Sequence, residues 1–214
     1  MRLLVVNPNS TARMTALIEG AVRATGAHDA VTVGPAKGPA AIETADDEKL
    51  AVRQVIALLD RHPELLSGAD AVLLACYGDP GMAEVAAISP VPVFGIAQLS
   101  MGIAASLAPS FGLIVAKPSA VPIMSALAAG YGHALPEAAI EASGVPVLDL
   151  LDDPEGSYEA VRDAALRLKA RGVDVVCLGC ASMGQLAARL RADTGLIVID
   201  AVQTSASALR GAAA

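Results

Sequence analysis

Three cysteines hold most of the chemistry available to this 214-residue chain. Cys76 lies in ACYGDPG and Cys180 in LGCASMG, each at the end of a run of small and branched apolar residues. A thiol where a strand gives way to a helix lies beside backbone N–H groups. Those groups lower a thiol pKa and can stabilise a developing oxyanion. The ordinary fate of one cysteine is that of a small buried hydrophobe, so neither residue alone would be singled out. Cys177 completes a formal C-x-x-C with Cys180. It lies inside the apolar run VVCLG, however, whereas a redox pair opens a helix after a strand; Cys177 reads as core. A zinc site needs more ligands. His28, His62 and His133 are scattered through polar stretches without ligand spacing and read as surface residues, so no metal is expected.

An internal repeat changes the reading of the other two thiols. VNPNSTARMTALI from Val6 aligns with AKPSAVPIMSALA from Ala116 at an offset of 110. LAVRQV (Leu50–Val55) aligns with EAVRDA (Glu159–Ala164) at 109, and DAVLLACYGD (Asp70–Asp79) with DVVCLGCASM (Asp174–Met183) at 104. One deletion accounts for the last shift, where RHPELLSGAD is longer than KARGVD. Three matches in the same order indicate a duplication, and they make Cys76 and Cys180 equivalent.

The elements that must hold these thiols follow from hydropathy. Leu3–Val6, Ala71–Ala75, Val91–Ile96, Leu113–Ala116, Val173–Leu178 and Leu196–Ile199 are near-continuous apolar runs, as in parallel strands covered on both faces. Ser10–Thr25, Asp46–Asp60, Ser119–Tyr131, Ser157–Arg171 and Met183–Ala192 have helical patterning, with Ser10, Asp46, Ser119 and Ser157 as expected N-caps. The alternation predicts an α/β fold of two pseudo-symmetric lobes. Each lobe reads strand–helix–strand–helix–strand–helix–strand, a mostly parallel sheet flanked by helices. The first lobe is expected over 1–98 plus 200–214, the second over 99–199. The alanine tail from Gly211 to Ala214 is expected to fray. Ligands of open α/β sheets bind at the carboxyl ends of the strands. Both thiols are therefore expected to face one cleft between the lobes.

Composition removes other functions. Only 2% of residues are aromatic, too few for a base-stacking platform, and a formal charge of −7 without a basic run opposes phosphate tracking, so no nucleic-acid partner is expected. No apolar run reaches about 18 residues, and MRLLVV is too short for a signal peptide. With an odd number of cysteines, that reads as a cytoplasmic protein without a membrane partner. No glycine-rich nucleotide fingerprint is present, and none of the four Lys has a Schiff-base context. Asn7-Pro8-Asn9-Ser10-Thr11 sets polar donors at the end of the first strand, and Asp46, Asp47 and Glu48 suit the start of a helix.

NPNST after the first strand, AAIET–DDE, ACYGDPG and LGCASM, in this order over nearly the whole chain, resemble the aspartate/glutamate/hydantoin racemase superfamily, most nearly its hydantoin racemase branch, which includes allantoin racemases. The resemblance implies two lobes, no cofactor, a small-molecule substrate, a homo-oligomer, and Cys76 and Cys180 as catalytic acid and base. It also implies a substrate site of Asn9, Ser10, Ile42 and Tyr77 from the first half. Lys117, Pro118, Ala181, Ser182 and Met183 would complete it from the second. Amino-acid racemases of the superfamily carry a D-S-G-type turn and an Asn after a catalytic Cys. Here the turn is NPNS, and Tyr77 and Ala181 follow the thiols, which points away from a free α-amino acid. Related arylmalonate decarboxylases keep only the second thiol, so two thiols point to racemisation. A hydantoin C5 proton lies beside a ring carbonyl, and a carbon within about 3.5 Å of each sulfur sets the sulfurs roughly 7 Å apart, too far for a disulfide. Many relatives have Thr-Thr where this chain has Ala116-Lys117; the lysine leaves open a related isomerase or decarboxylase of a small carboxylate. A two-lobe module that binds a small molecule without turnover is the alternative outside enzymes.

Overall fold

The structure, a computed structural model, describes residues 1–212. It contains two compact units, one of Met1–Ile96 with the segment from Val202 onward, the other of Ala97–Ala201. Each is built on its own four-stranded sheet. In the first unit the chain runs β1 (Leu3–Val6), α1 (Ala12–Ala24), β2 (Val31–Val33), α2 (Ala45–Arg61), α3 (Pro63–Ser67), β3 (Ala71–Leu74), α4 (Met82–Ile88) and β4 (Val93–Gly95). The strands lie in the order β2-β1-β3-β4, all parallel, with Val6 opposite Leu74 and Leu74 opposite Gly95.

The second unit repeats the plan. After α5 (Ile96–Leu107) come β5 (Gly112–Val115), α6 (Ala120–Gly130), β6 (Ile140–Ala142), α7 (Val147–Asp152), α8 (Pro154–Ala170), β7 (Val175–Leu178), a 3-10 segment over Ala181–Leu186, α9 (Ala187–Thr194) and β8 (Ile197–Asp200). The order is β6-β5-β7-β8, again all parallel, with Leu178 opposite Asp200. α10 (Ala201–Ala212) follows. The expected α/β class and parallel sheets are therefore present.

The chain crosses from one unit to the other twice, each time in the first turn of the helix after a fourth strand. In the second unit, Cys177 Sγ on β7 donates to the Ser100 carbonyl of α5 at 3.7 Å. In the first, Ser205 Oγ of α10 donates to the Ile96 carbonyl at 3.5 Å, and the Arg210 guanidinium donates to the Thr25 carbonyl.

β1, β3, β5 and β7 are buried along their whole length, which explains why their sequences do not alternate. One face of the first sheet sets Leu4, Val6, Val72 and Leu74 against Val55 and Leu59 of α2 and Val85 of α4. In the second, Ile114, Val176, Leu178 and Val198 pack with Val161, Ala165 and Leu168 of α8. The alanines let these helices lie close to their sheets. Among the described residues no helix is long and apolar enough to cross a membrane.

Several helix starts differ from the sequence expectation. α1 begins after Thr11, not Ser10, and Thr11 makes no side-chain cap; the Ser10 hydroxyl donates instead to the Gly38 and Pro39 carbonyls at 3.0 and 3.2 Å. α2 is capped by Thr44 rather than Asp46, because Thr44 forms a reciprocal capping box with Asp47. α8 starts at Pro154, where Asp153 accepts from Gly156 N–H at 2.9 Å and displaces Ser157 as the cap. Ser119 is the N-cap of α6, without a side-chain bond. Gly211 and Ala212 continue α10 rather than fraying, and the rest of the tail expectation, Ala213 and Ala214, lies outside the described residues.

Candidate active site

In the first unit the polar end of β1 is a closed network. Asn7 is fully buried and Asn9 is 6% exposed. Asn7 Nδ2 donates to Asn9 Oδ1 at 3.0 Å and to Thr15 Oγ1 at 2.9 Å, and Asn9 Oδ1 also accepts from Thr11 N–H at 2.9 Å. Ser10 and Thr11 then pin the loop ahead of α2, with Thr11 Oγ1 donating to the Ala40 carbonyl at 2.7 Å. Half-buried Ile42 follows two residues on. NPNST is thus a buried hinge joining β1, α1 and the loop before α2, and it does not act as a side-chain cap.

Cys76 leaves the carboxyl end of β3, the strand beside β1, after Ala75 N–H donates to the Val6 carbonyl at 2.9 Å. It is half-buried. Its carbonyl accepts from Asp79 N–H at 3.0 Å, closing a tight turn. Asp79 takes the left-handed conformation at φ 49°, which Asp tolerates better than most side chains. Tyr77 is 8% exposed. Asn9, Ser10, Ile42, Cys76 and Tyr77 therefore all belong to segments that leave the carboxyl ends of three neighbouring strands of one sheet, β1, β2 and β3.

The second unit repeats this arrangement around Cys180. Gly179 N–H donates to the Ile114 carbonyl at 2.7 Å, and a Cβ at Gly179 would lie 2.7 Å from that oxygen, so only glycine lets β7 run this close to β5. Half-buried Cys180 follows, and its carbonyl accepts from Met183 N–H at 3.1 Å. Lys117, half-buried, and Pro118, exposed, leave the end of β5 beside it. Ala181 is half-buried. The side chain of Met183 is fully buried in the core cluster, so only its backbone faces the turn.

One contact was not legible in the sequence. Ser182 is fully buried, and its Oγ lies 3.0 Å from Cys180 Sγ, with either atom able to donate. It does not cap α9. The equivalent position in the first unit is Gly78, so the two thiol loops are matched in backbone but not in this hydroxyl. The three cysteines form no disulfide. Among the described residues no cluster of His, Cys, Asp and Glu could hold a metal ion.

Residues 3–209 match the family model for Asp/Glu/Hydantoin racemase. The hydantoin racemase of Rhizobium meliloti is 36% identical over 218 residues, covering 99% of this chain and 90% of that protein. The hydantoin racemase of Pseudomonas sp. (strain NS671) is 35% identical over 205 residues, covering 94% and 82%. Among solved structures, allantoin racemase from Klebsiella pneumoniae superposes with a TM-score of 0.90 at 32% identity, covering 100% of this chain and 87% of the other. With its family model matched from the first strand to the last helix, the chain belongs to the Asp/Glu/hydantoin racemase family.

Proposed function

We propose that this protein racemises a five-membered ring of the hydantoin or ureide type, such as a 5-substituted hydantoin or allantoin, with two cysteines and no cofactor. The observation that carries the reading is the equivalence of Cys76 and Cys180. Both are half-buried, both sit two residues past the end of a central strand, and in both the carbonyl is tied to the N–H three residues on. In the proposed reaction one cysteine is a thiolate and the other a thiol, set on opposite faces of C5. The thiolate takes the C5 proton, and the electron pair of the broken C–H bond moves into the neighbouring ring carbonyl as an enolate. The second thiol then delivers its proton to the other face, so the enzyme finishes with the two protonation states exchanged. Thiols titrate near 8.5 in water, close enough to neutrality for both tasks. Backbone N–H groups of the two loops hold the enolate oxygen. A reducing cytoplasm, which we assign as the compartment, keeps both sulfurs available.

The test follows optical rotation of D- and L-5-alkylhydantoins and of allantoin with Cys76→Ala and Cys180→Ala. Each variant is expected to lose racemisation by at least about a thousandfold. Each should still exchange the C5 proton with deuterated solvent for one enantiomer only. Racemisation at the parent rate in either variant would overturn the two-base reading. Lys117 supports a second reading, a small carboxylate as substrate, and turnover of maleate or malonates in the same assay would favour it.

A further inference from the structure

Neither proposed step uses a carboxylate, yet each unit buries one against its thiol loop. Asp79 is 5% and Asp200 3% exposed. Asp79 closes the Cys76 turn, and its carboxyl group lies over Gly95, the last residue of β4, so closely that a Cβ at Gly95 would fall inside it. In the second unit the residue that closes the Cys180 turn is Met183, whose side chain is buried in the core. There the carboxylate comes from the other side. Asp200 ends β8, and it lies against Gly184, the residue after Met183, where a Cβ would sit 2.6 Å from Asp200 Oδ2. Strand register makes Gly95 and Asp200 equivalent, since one lies opposite Leu74 and the other opposite Leu178.

The same joint thus occurs twice with its parts exchanged. One unit has acid on the thiol loop and glycine on the fourth strand; the other has glycine on the loop and acid on the strand. A buried carboxylate is costly unless it is held, and a glycine facing each one leaves room for a close approach. From this exchange we infer that Asp79 and Asp200 are positioning residues, each fixing its thiol loop to the end of the fourth strand and so setting where Cys76 and Cys180 lie. The inference rests on the reading that these thiols are the acid and base.

The experiment alkylates the full-length protein with iodoacetamide and resolves Cys76 and Cys180 by peptide mass spectrometry. Asp79→Asn is expected to change the alkylation rate of Cys76 at least about fivefold and leave that of Cys180 within twofold. Asp200→Asn is expected to do the reverse. With allantoin or a 5-alkylhydantoin, kcat should fall about ten- to a hundredfold with KM nearly unchanged, as for a small misplacement of a reacting group. The deciding variant is Asp79→Gly with Gly95→Asp, which moves the acid from the thiol loop to the end of the fourth strand, where the second unit has it. Gly95 does not lie in the left-handed region, and the three atoms nearest to a Cβ there all belong to Asp79. This double variant is expected to restore Cys76 alkylation to within about twofold of the parent. Equal change at both thiols, change at neither, or a double variant that unfolds or stays as impaired as Asp79→Asn would each overturn the inference. Alkylation needs no turnover, so this result stands apart from the Cys76→Ala and Cys180→Ala assays that test the reaction itself.

Discussion

Removing the Ser182 hydroxyl takes away a side-chain partner 3.0 Å from Cys180 Sγ. A hydroxyl that donates to a thiolate favours the charged form, so Ser182→Ala is expected to slow alkylation of Cys180 about three- to tenfold at neutral pH, with Cys76 unaffected. Equal slowing of both thiols would show a general loosening instead. In the first unit Gly78 stands where Ser182 would be, so this hydroxyl has no counterpart in the Cys76 loop. This asymmetry is hidden from spacing arguments, since residues two apart lie on opposite sides of a helix and about 6.6 Å apart along a strand. They meet here because the chain turns from the extended Cys180, at φ −150°, directly into a 3-10 segment. The equivalence of Cys76 and Cys180, and the burial of Cys177 in the core, are by contrast legible from three aligned segments and one apolar run. The partners of Ser10 are not, because the carbonyls it reaches lie 28 and 29 residues away.

At the scale of elements, the long central strands are readable because burial on both faces makes them continuously apolar. Of the edge strands, β4 and β8 are read from their apolar runs, whereas β2 and β6 are not. β2 is Val31–Val33 with Val31 exposed, and β6 is Ile140–Ala142 with a glutamate at its centre. Glu141 reads as a loop residue until its partners are seen. Its carboxylate meets Arg167 at 2.7 Å and Arg171 at 2.5 Å, both on the side of α8. Burial alone would raise its pKa, but hydrogen bonds from the two guanidiniums hold it below the ordinary 4.5. A carboxyl group with a depressed folded-state pKa adds stability above its unfolded value and loses it as pH falls through the folded one. Glu141→Gln is therefore expected to lower stability by about 1 kcal/mol from neutrality down to about pH 5. The difference from the parent should narrow in more acid solution. Urea unfolding at several pH values measures this, and a gap that widens in acid would contradict it. α5 escapes the sequence reading for another reason. Its residues are apolar on nearly every side, so no amphipathic period marks it.

For the whole molecule, the two four-stranded sheets follow from the repeat, and the two units exchange α5 and α10. The exchange makes the units unequal as fragments. Residues 97–201 are contiguous and carry α5, the core of α8 and both central strands. Residues 1–96 lack α10, whose Val202, Ala206 and Leu209 are buried at helical spacing. The isolated 97–201 segment is expected to melt cooperatively and 1–96 to melt without a transition, with cooperativity returning when residues 202–212 are joined to it. Circular dichroism through a thermal ramp decides the matter, and a cooperative 1–96 would refute it. The crossing also orders events during synthesis. Chains usually complete their domains from the N-terminus onward at about 5–20 residues per second. Here the first unit waits, on the order of ten seconds, for the second to be made before α10 emerges. The N-terminal half is first to be made and last to be finished. A ribosome that stalls just before Val202 releases a chain whose later unit is whole and whose earlier one stands open to proteases.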